Sequence, residues 1–248
     1  MTVIEVENVS KKFRIPVERA DTVFERLLSI FSGGLRYREF WALRDVSFTV
    51  GKGEIFGIIG PNGGGKTTLL SIVAGILSPD SGEVRVEGKV VPILGLGIGF
   101  NPELSVRDNV IIYGTIMGLS RKEIERKFED ILEFAEIEEF SNAKLKMLSS
   151  GMRARIAFST VINTEPDILI VDEVLAVGDV QFRRKCYKRL KELNEEGVTV
   201  LLVSHSPGMV KGFCDKVMLL NRRVIAIGDP GEVVRMYEKF DAKRKETN

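Results

Sequence analysis

Gly60-Pro61-Asn62-Gly63-Gly64-Gly65-Lys66-Thr67-Thr68 is the stretch whose residue types and spacing can do chemistry. An apolar run, Ile55 to Ile59, leads into it, and TLLSIVAG, ending at Gly75, leaves it with the look of a helix. This is the G-x-x-x-x-G-K-[ST] pattern between a strand and a helix, the setting a phosphate loop requires. Three consecutive glycines let the backbone turn tightly enough for successive N–H groups to converge on one anion. The helix opening near Lys66 directs its positive end at the same point. Lys66 then supplies a point charge for terminal phosphates, and the Thr67 hydroxyl is suited to hold Mg²⁺.

Four further segments gain meaning beside that loop. ILIVDE places Asp172 and Glu173 at the end of an apolar strand. There Asp172 would bind Mg²⁺ directly or through water, and Glu173 would polarise a water for in-line attack on a γ-phosphate. Leu148-Ser149-Ser150-Gly151-Met152 offers hydroxyls to cap a helix running Met152 to Val161, a second positive helix end. His205, the single histidine, stands where VTVLLVS ends, at a strand tip of the kind that holds ligands in α/β sheets. Ala176-Val177-Gly178-Asp179 forms a turn just beyond Glu173. Phe13 is a candidate for stacking on a purine ring, with core packing as its ordinary alternative.

The elements that must position these residues alternate between strand and helix. TVIEVENV (residues 2–9) and ALRDVSFTV (42–50) alternate apolar and polar residues, as half-buried strands do. Between them, Thr22 and Glu25 form a capping box, and Val23, Phe24, Leu27, Leu28 and Phe31 fall on one face of a short helix closed by Gly33-Gly34. That face either folds onto its own domain or is offered to a membrane partner or bilayer surface. Tyr37, Phe40 and Trp41 belong to the same surface or to the core. Pro79-Asp80-Ser81-Gly82 makes a turn before a strand at 83–86, and the LGLGIGF stretch (94–100) spaces glycines as a bending backbone does. From Ser105 to about Ile162 the apolar spacing is helical, so a helical unit is inserted into an α/β core. Strands return at 167–173 and 198–205 around a charged, solvated helix at about 180–196. A hairpin over 216–228 and a helix from Asp229-Pro230 follow, and the charged end is expected to fray.

Composition narrows the function. The 248 residues are 44% hydrophobic and 29% charged, an ordinary globular balance. With 36 basic against 35 acidic residues the net charge is +1, which gives no support to nucleic-acid binding. Cys186 and Cys214 lack metal-ligand spacing and read as reduced thiols of a cytosolic protein. No apolar run reaches the roughly 20 residues of a membrane helix, and MTVIEVENVS reads as a strand without a secretory signal.

The order GPNGGGKTT, LSSGM, ILIVDE, AVGD, VSHS resembles the ATP-binding cassette family over residues 1–235. The insertion at 14–41 with FWALRDVSF, GFNPELSVRDNV, and SSGMRARIAFS with VDEVLAVGDVQFRRKC look closest to the ATPase subunits of bacterial polysaccharide exporters, of the O-antigen and teichoic-acid types. The resemblance implies an α/β P-loop NTPase fold of RecA-like type with an N-terminal antiparallel β subdomain and an inserted helical subdomain. The core and β subdomain would take residues 1–100 and 163–240, the helical subdomain 101–162, and a gate-like helix the 14–41 insertion, with 241–248 a charged tail or a cut linker. It implies a head-to-tail homodimer with two ATP molecules and Mg²⁺ between the copies. Phe13, Pro61, Asn62, Gly63, Gly64, Gly65, Lys66, Thr67, Thr68, Asp172, Glu173 and His205 of one copy would meet Ser149 and Gly151 of the other, with Asp179 linking the sites. The partners implied are an integral membrane transporter subunit and a lipid-linked glycan entering by the 22–32 helix, at the cytoplasmic face of the inner membrane. Alternatives are an exporter ATPase for a lipid or drug, or a non-transport cassette.

Two departures stand out. The family's glutamine between the loop and the helical unit is replaced by LGLGIGF, since Gln181 is the only glutamine, so the second metal ligand is left open. Met152 stands where the signature usually ends in a glutamine; the backbone N–H groups remain, so binding is expected to survive.

Overall fold

A computed structural model describes residues 1–16, 37–172, 178–204 and 206–246. The helix expected at 22–32, Glu173 and His205 lie outside the described residues.

Three short apolar runs become the centre of the molecule. Strands β3 (Ile55–Ile59), β6 (Ile168–Val171) and β7 (Thr199–Val203) are buried at every position. Such continuous burial requires cover on both faces, and parallel strands have it. With β5 (Val90–Ile93), β8 (Lys216–Asn221) and β9 (Arg223–Gly228) they form a six-stranded sheet in the order β5-β6-β7-β3-β8-β9. It is parallel except for β9, which closes the expected hairpin antiparallel to β8. Side chains alternate between faces. Ile59, Leu169, Val171, Val200 and Leu202 pack one way against helices, and Phe56, Ile58, Ile170, Leu201 and Val203 pack the other way.

The second face carries helix α1 (Lys66–Val73) and a three-stranded antiparallel sheet in the order β2-β1-β4. Its strands are β1 (Thr2–Pro16), β2 (Tyr37–Gly51) and β4 (Ser81–Val86). β1 and β2 run further than the alternating pattern foretold, because pairing continues to Pro16↔Tyr37. Tyr37, Phe40 and Trp41 are therefore strand residues. Tyr37 is exposed, and the Trp41 ring lies under the Lys12 ammonium (5.6 Å) and the Arg44 guanidinium (4.9 Å), a half-buried position that suits an amphipathic side chain.

The helical unit is α2 (Val106–Ile116), α3 (Arg121–Ala135) and α4 (Ser150–Ile162). Ser105, Ser120 and Ser149 cap them, Ser120 with a full capping box through Glu123. The cap of α4 is Ser149 alone; Ser150 is already the first helical residue, two ahead of the expected Met152. Helix α4 belongs to two cores at once: Ile156 packs with Phe128, Ile131 and Leu132 of the helical unit, whereas Phe158, Val161 and Ile162 pack on the sheet. Helix α5 (Val180–Glu195) is charged outside, as expected, but buries a stripe of Phe182, Cys186, Leu190 and Leu193. Helix α6 (Pro207–Phe213) and helix α7 (Pro230–Glu246) complete the fold, and α7 stays helical where the charged end was expected to fray. Burial pushes the Cys186 and Cys214 thiols up to about 12, which leaves both inert. Among the described residues no helix is long and apolar enough to cross a membrane.

One ionic cluster joins the helical unit to α5. The Arg155 guanidinium of α4 donates to Glu136 at the end of α3 (2.7 Å), pairs with Asp179 and lies on the Phe182 ring (4.7 Å). Lys185 of α5 also donates to Glu136 (3.1 Å). Glu136 titrates below the usual carboxylate range, held there first by Lys185 and then by Arg155. Asp179 is lowered too, first by the backbone N–H of Phe182 that it caps, with Arg155 adding to the effect.

Two measurements check this packing. The Ser159 hydroxyl is fully buried in α4 and has no hydrogen-bond partner among the described residues, so Ser159→Ala should raise the unfolding free energy in denaturant titration by about 1 kcal/mol or leave it unchanged. Both junction carboxylates have folded values below their unfolded ones, so their contribution is present above about pH 4 and is lost as pH falls through the lowered values. Calorimetry between pH 2.5 and 5 should therefore show a shallower fall of Tm in a Glu136→Gln/Asp179→Asn double variant than in the unaltered chain.

Candidate functional site

The phosphate loop sits at the carboxyl end of β3, where parallel sheets open toward a ligand. Its shape follows from glycines that admit no side chain. Gly65 has φ 93°, and a Cβ there would lie 2.4 Å from the Ala42 carbonyl oxygen. At Gly60 a Cβ would lie 2.0 Å from the Leu220 carbonyl oxygen. The loop is thus pressed backbone to backbone against β2 on one side and β8 on the other. Hydrogen bonds lock it: the Gly64 carbonyl accepts from the Arg222 N–H (2.7 Å), and the Arg222 carbonyl accepts from the Arg44 N–H (2.7 Å). Arg222, at φ 60°, makes the β8–β9 turn that delivers this bridge.

Lys66 opens α1 and is buried beneath the loop, where its ammonium donates to the carbonyls of Gly60 (2.9 Å) and Pro61 (3.0 Å). Burial lowers its pKa, opposed by the negative charge of Asp172. A partly desolvated cation at a helix N-terminus attracts anionic oxygens strongly, since little water must be displaced. Thr67, one residue on, donates its hydroxyl to Asp172 Oδ2 (3.4 Å). Asp172 arrives from the end of β6, with β7 lying between β6 and β3.

These groups share one cleft of about 450 Å³. Asn62 through Thr68 line it from the loop, Asp172 from β6, and Phe13, Phe40 and Ala42 from the three-stranded sheet. Of the expected loop residues 60–68, all but Gly60 and Pro61 border it directly; those two are buried and contribute their carbonyls to Lys66. Phe13 is 39% exposed, so its alternative reading as a core ring does not hold. Phe40, left undecided between surface and core, borders the same cleft. No local signal marked it, because its place depends on pairing with Phe13 across the strands.

Thr67 and Asp172 are hard oxygen donors within reach of each other, which fits Mg²⁺. Among the described residues no group of three or more metal-ligating side chains occurs.

Ser149, Gly151 and Asp179 do not border the cleft of their own chain among the described residues. Ser149 caps α4 by accepting from the Met152 N–H (3.2 Å), and a Cβ on Gly151 would meet nothing closer than 3.8 Å. Asp179 caps α5 through the N–H groups of Gln181 (2.8 Å) and Phe182 (2.9 Å). Met152 packs on the helical core, which accounts for an apolar residue at that position. The glycine-spaced stretch that stands in for the glutamine does bend: Gly95, Gly97 and Gly99 all have positive φ. It lines a separate apolar groove, with Leu94 and Ile98 beside Ile76 and Ile116.

A family model described as ABC transporter matches residues 43–176. An O-antigen export system ATP-binding protein, RfbB, of Klebsiella pneumoniae is 42% identical over 96% of this chain and 98% of its own length. ABC transporter protein AbcA of Aeromonas salmonicida is 46% identical over 96% of this chain and 76% of its own. A teichoic acids export ATP-binding protein, TagH, of Lactococcus lactis is 40% identical, and this chain spans 51% of it. The fold matches an ATP-binding cassette solved as a dimer in a post-hydrolysis state with ADP and phosphate, with a TM-score of 0.73, 24% identity and coverage of 92% of this chain and 98% of that one. The loop, the Thr67–Asp172 pair and these likenesses agree: the chain belongs to the ABC transporter family, as one of its ATP-hydrolysing cassettes.

Proposed function

We propose that this cassette powers export of a lipid-linked polysaccharide through a separate membrane subunit. The observation that carries the export reading is likeness along nearly the whole of both chains to a relative named for O-antigen export.

In this reading the cleft takes the triphosphate of ATP. The loop N–H groups and the N-terminus of α1 bind the phosphate oxygens, and Lys66 turns its ammonium from the two loop carbonyls toward the β- and γ-phosphates. Thr67 and Asp172 hold Mg²⁺, which supplies charge neutralisation on the terminal phosphates. Glu173 accepts a proton from the attacking water and His205 orients the γ-phosphate. Ser149 and Gly151 of a second copy close the site, which explains their distance from the cleft of their own chain. Asp179 links the two sites through the turn it caps.

The apolar groove supports a membrane-subunit partner. Ile76, Ile98 and Ile116 are 64%, 62% and 56% exposed there, a concentration of bare apolar surface that marks an interaction site. The 22–32 helix is proposed as the gate at which the lipid-linked glycan enters.

Lys66→Ala should reduce ATP turnover by about 10²-fold or more, the scale for removing one preorganised charge from a phosphoryl-transfer site. Reconstitution with candidate membrane subunits, followed by ATP-dependent glycan movement, tests the whole reading: Glu173→Gln should retain bound ATP and stop turnover, and normal turnover in that variant would remove Glu173 from its role. Phe24→Glu with Leu28→Glu should leave ATPase activity intact and abolish glycan movement; unchanged export would refute the gate.

A further inference from the structure

The end of the cleft away from Asp172 is built by two aromatic rings, not one. Phe13 of β1 and Phe40 of β2 are direct partners in the antiparallel register, so their side chains stand on the same face of the sheet. Both border the cleft, yet among the described residues neither belongs to any of the three apolar cores. A phenylalanine that stabilises no core and faces a cleft is free to hold a ligand.

Phe40 is also supported from behind. The Arg222 guanidinium carbon lies 4.7 Å from its ring centroid. Arg222 is not among the described residues that border the cleft, so the cation backs the ring and leaves the ligand's place open. The Arg222 backbone is the same one that bonds Gly64 and Arg44. The ring's support and the phosphate loop are therefore tied to the same backbone segment.

Among the described residues, the polar side chains bordering the cleft come from the loop, from α1 or from Asp172 just past β6, the phosphate end; the sheet contributes Phe13, Phe40 and Ala42. Among the described residues, a base at that end meets π-faces and a methyl group, with no side chain to read its edge. We propose that Phe40 is a second base-binding residue, pairing with Phe13 to hold the purine of a nucleoside triphosphate by stacking instead of by edge recognition. This rests on the triphosphate reading of the loop.

The test is calorimetric binding of Mg²⁺ complexes of ATP, GTP and inorganic tripolyphosphate to the full chain. Phe40→Leu keeps apolar volume and removes the aromatic face. It should weaken ATP and GTP alike by about 10-fold, the worth of one base–aromatic stack, and leave tripolyphosphate within about twofold; Phe40→Tyr should restore both nucleotides. Unchanged ATP affinity in Phe40→Leu, a loss confined to one purine, or an equal loss of tripolyphosphate would overturn the proposal. Lys66→Ala separates the two levels. If it left all three ligands unaffected, the triphosphate reading itself would fail, whereas loss of all three in Lys66→Ala with no effect of Phe40→Leu would sink only the second ring.

Discussion

The structure depends on a loop with no room for side chains. Gly60 and Gly65 lie so close to the carbonyls of Leu220 and Ala42 that a methyl group at either would force the backbone apart. That closeness joins the two sheets: the loop leaves the six-stranded sheet, turns between β8 and β2, and enters a helix packed against both. The bridge from Gly64 through Arg222 to Arg44 closes the contact with main-chain hydrogen bonds. The shape of the phosphate loop and the joining of the sheets are thus consequences of one backbone path, and a change that relaxes the path relaxes both.

Electrostatics complete what the path begins. Lys66 is buried, and its charge is held by two loop carbonyls and balanced by Asp172 on the next-but-one strand. A buried cation satisfied by weak neutral acceptors exchanges readily for anionic oxygens, because the charge-assisted bonds it would gain are stronger. The Thr67–Asp172 contact brings a hydroxyl and a carboxylate together at the mouth of the same loop. A buried cation for an anionic oxygen thus stands beside two oxygen donors suited to a metal ion, the pairing phosphoryl transfer requires.

The helical unit is not an independent appendage. Helix α4 carries Ser149 at one end and is shared by two cores along its length, so displacing the helical core displaces a helix that the sheet also holds. The Arg155 cluster adds a second tie, from the end of α3 across α4 to the Asp179 turn. Ser149 and Asp179 thus cap helices that the Arg155 cluster ties together.

The sequence by itself determined the loop, the strand ending in Asp172, the capped helices and the family, because each is written in neighbouring residues. Glycine runs, a Lys-Thr pair, capping serines and apolar runs act within one or two turns of chain, where composition and local sterics decide the outcome. Tertiary structure alone decided what depends on register and packing between distant segments. Phe40 meets Phe13 only because β1 and β2 pair as far as Pro16 and Tyr37. The Arg222 turn meets the loop only because β8 lies beside β3. Arg155 finds Glu136 and Asp179 across intervals of 19 and 24 residues. The apolar groove beside the glycine-spaced stretch brings Ile76 to Ile98 and Ile116. Periodicity records which face of an element is apolar; which other element covers that face is settled by the sum of many contacts over the folded chain, and no single stretch of residues carries that sum.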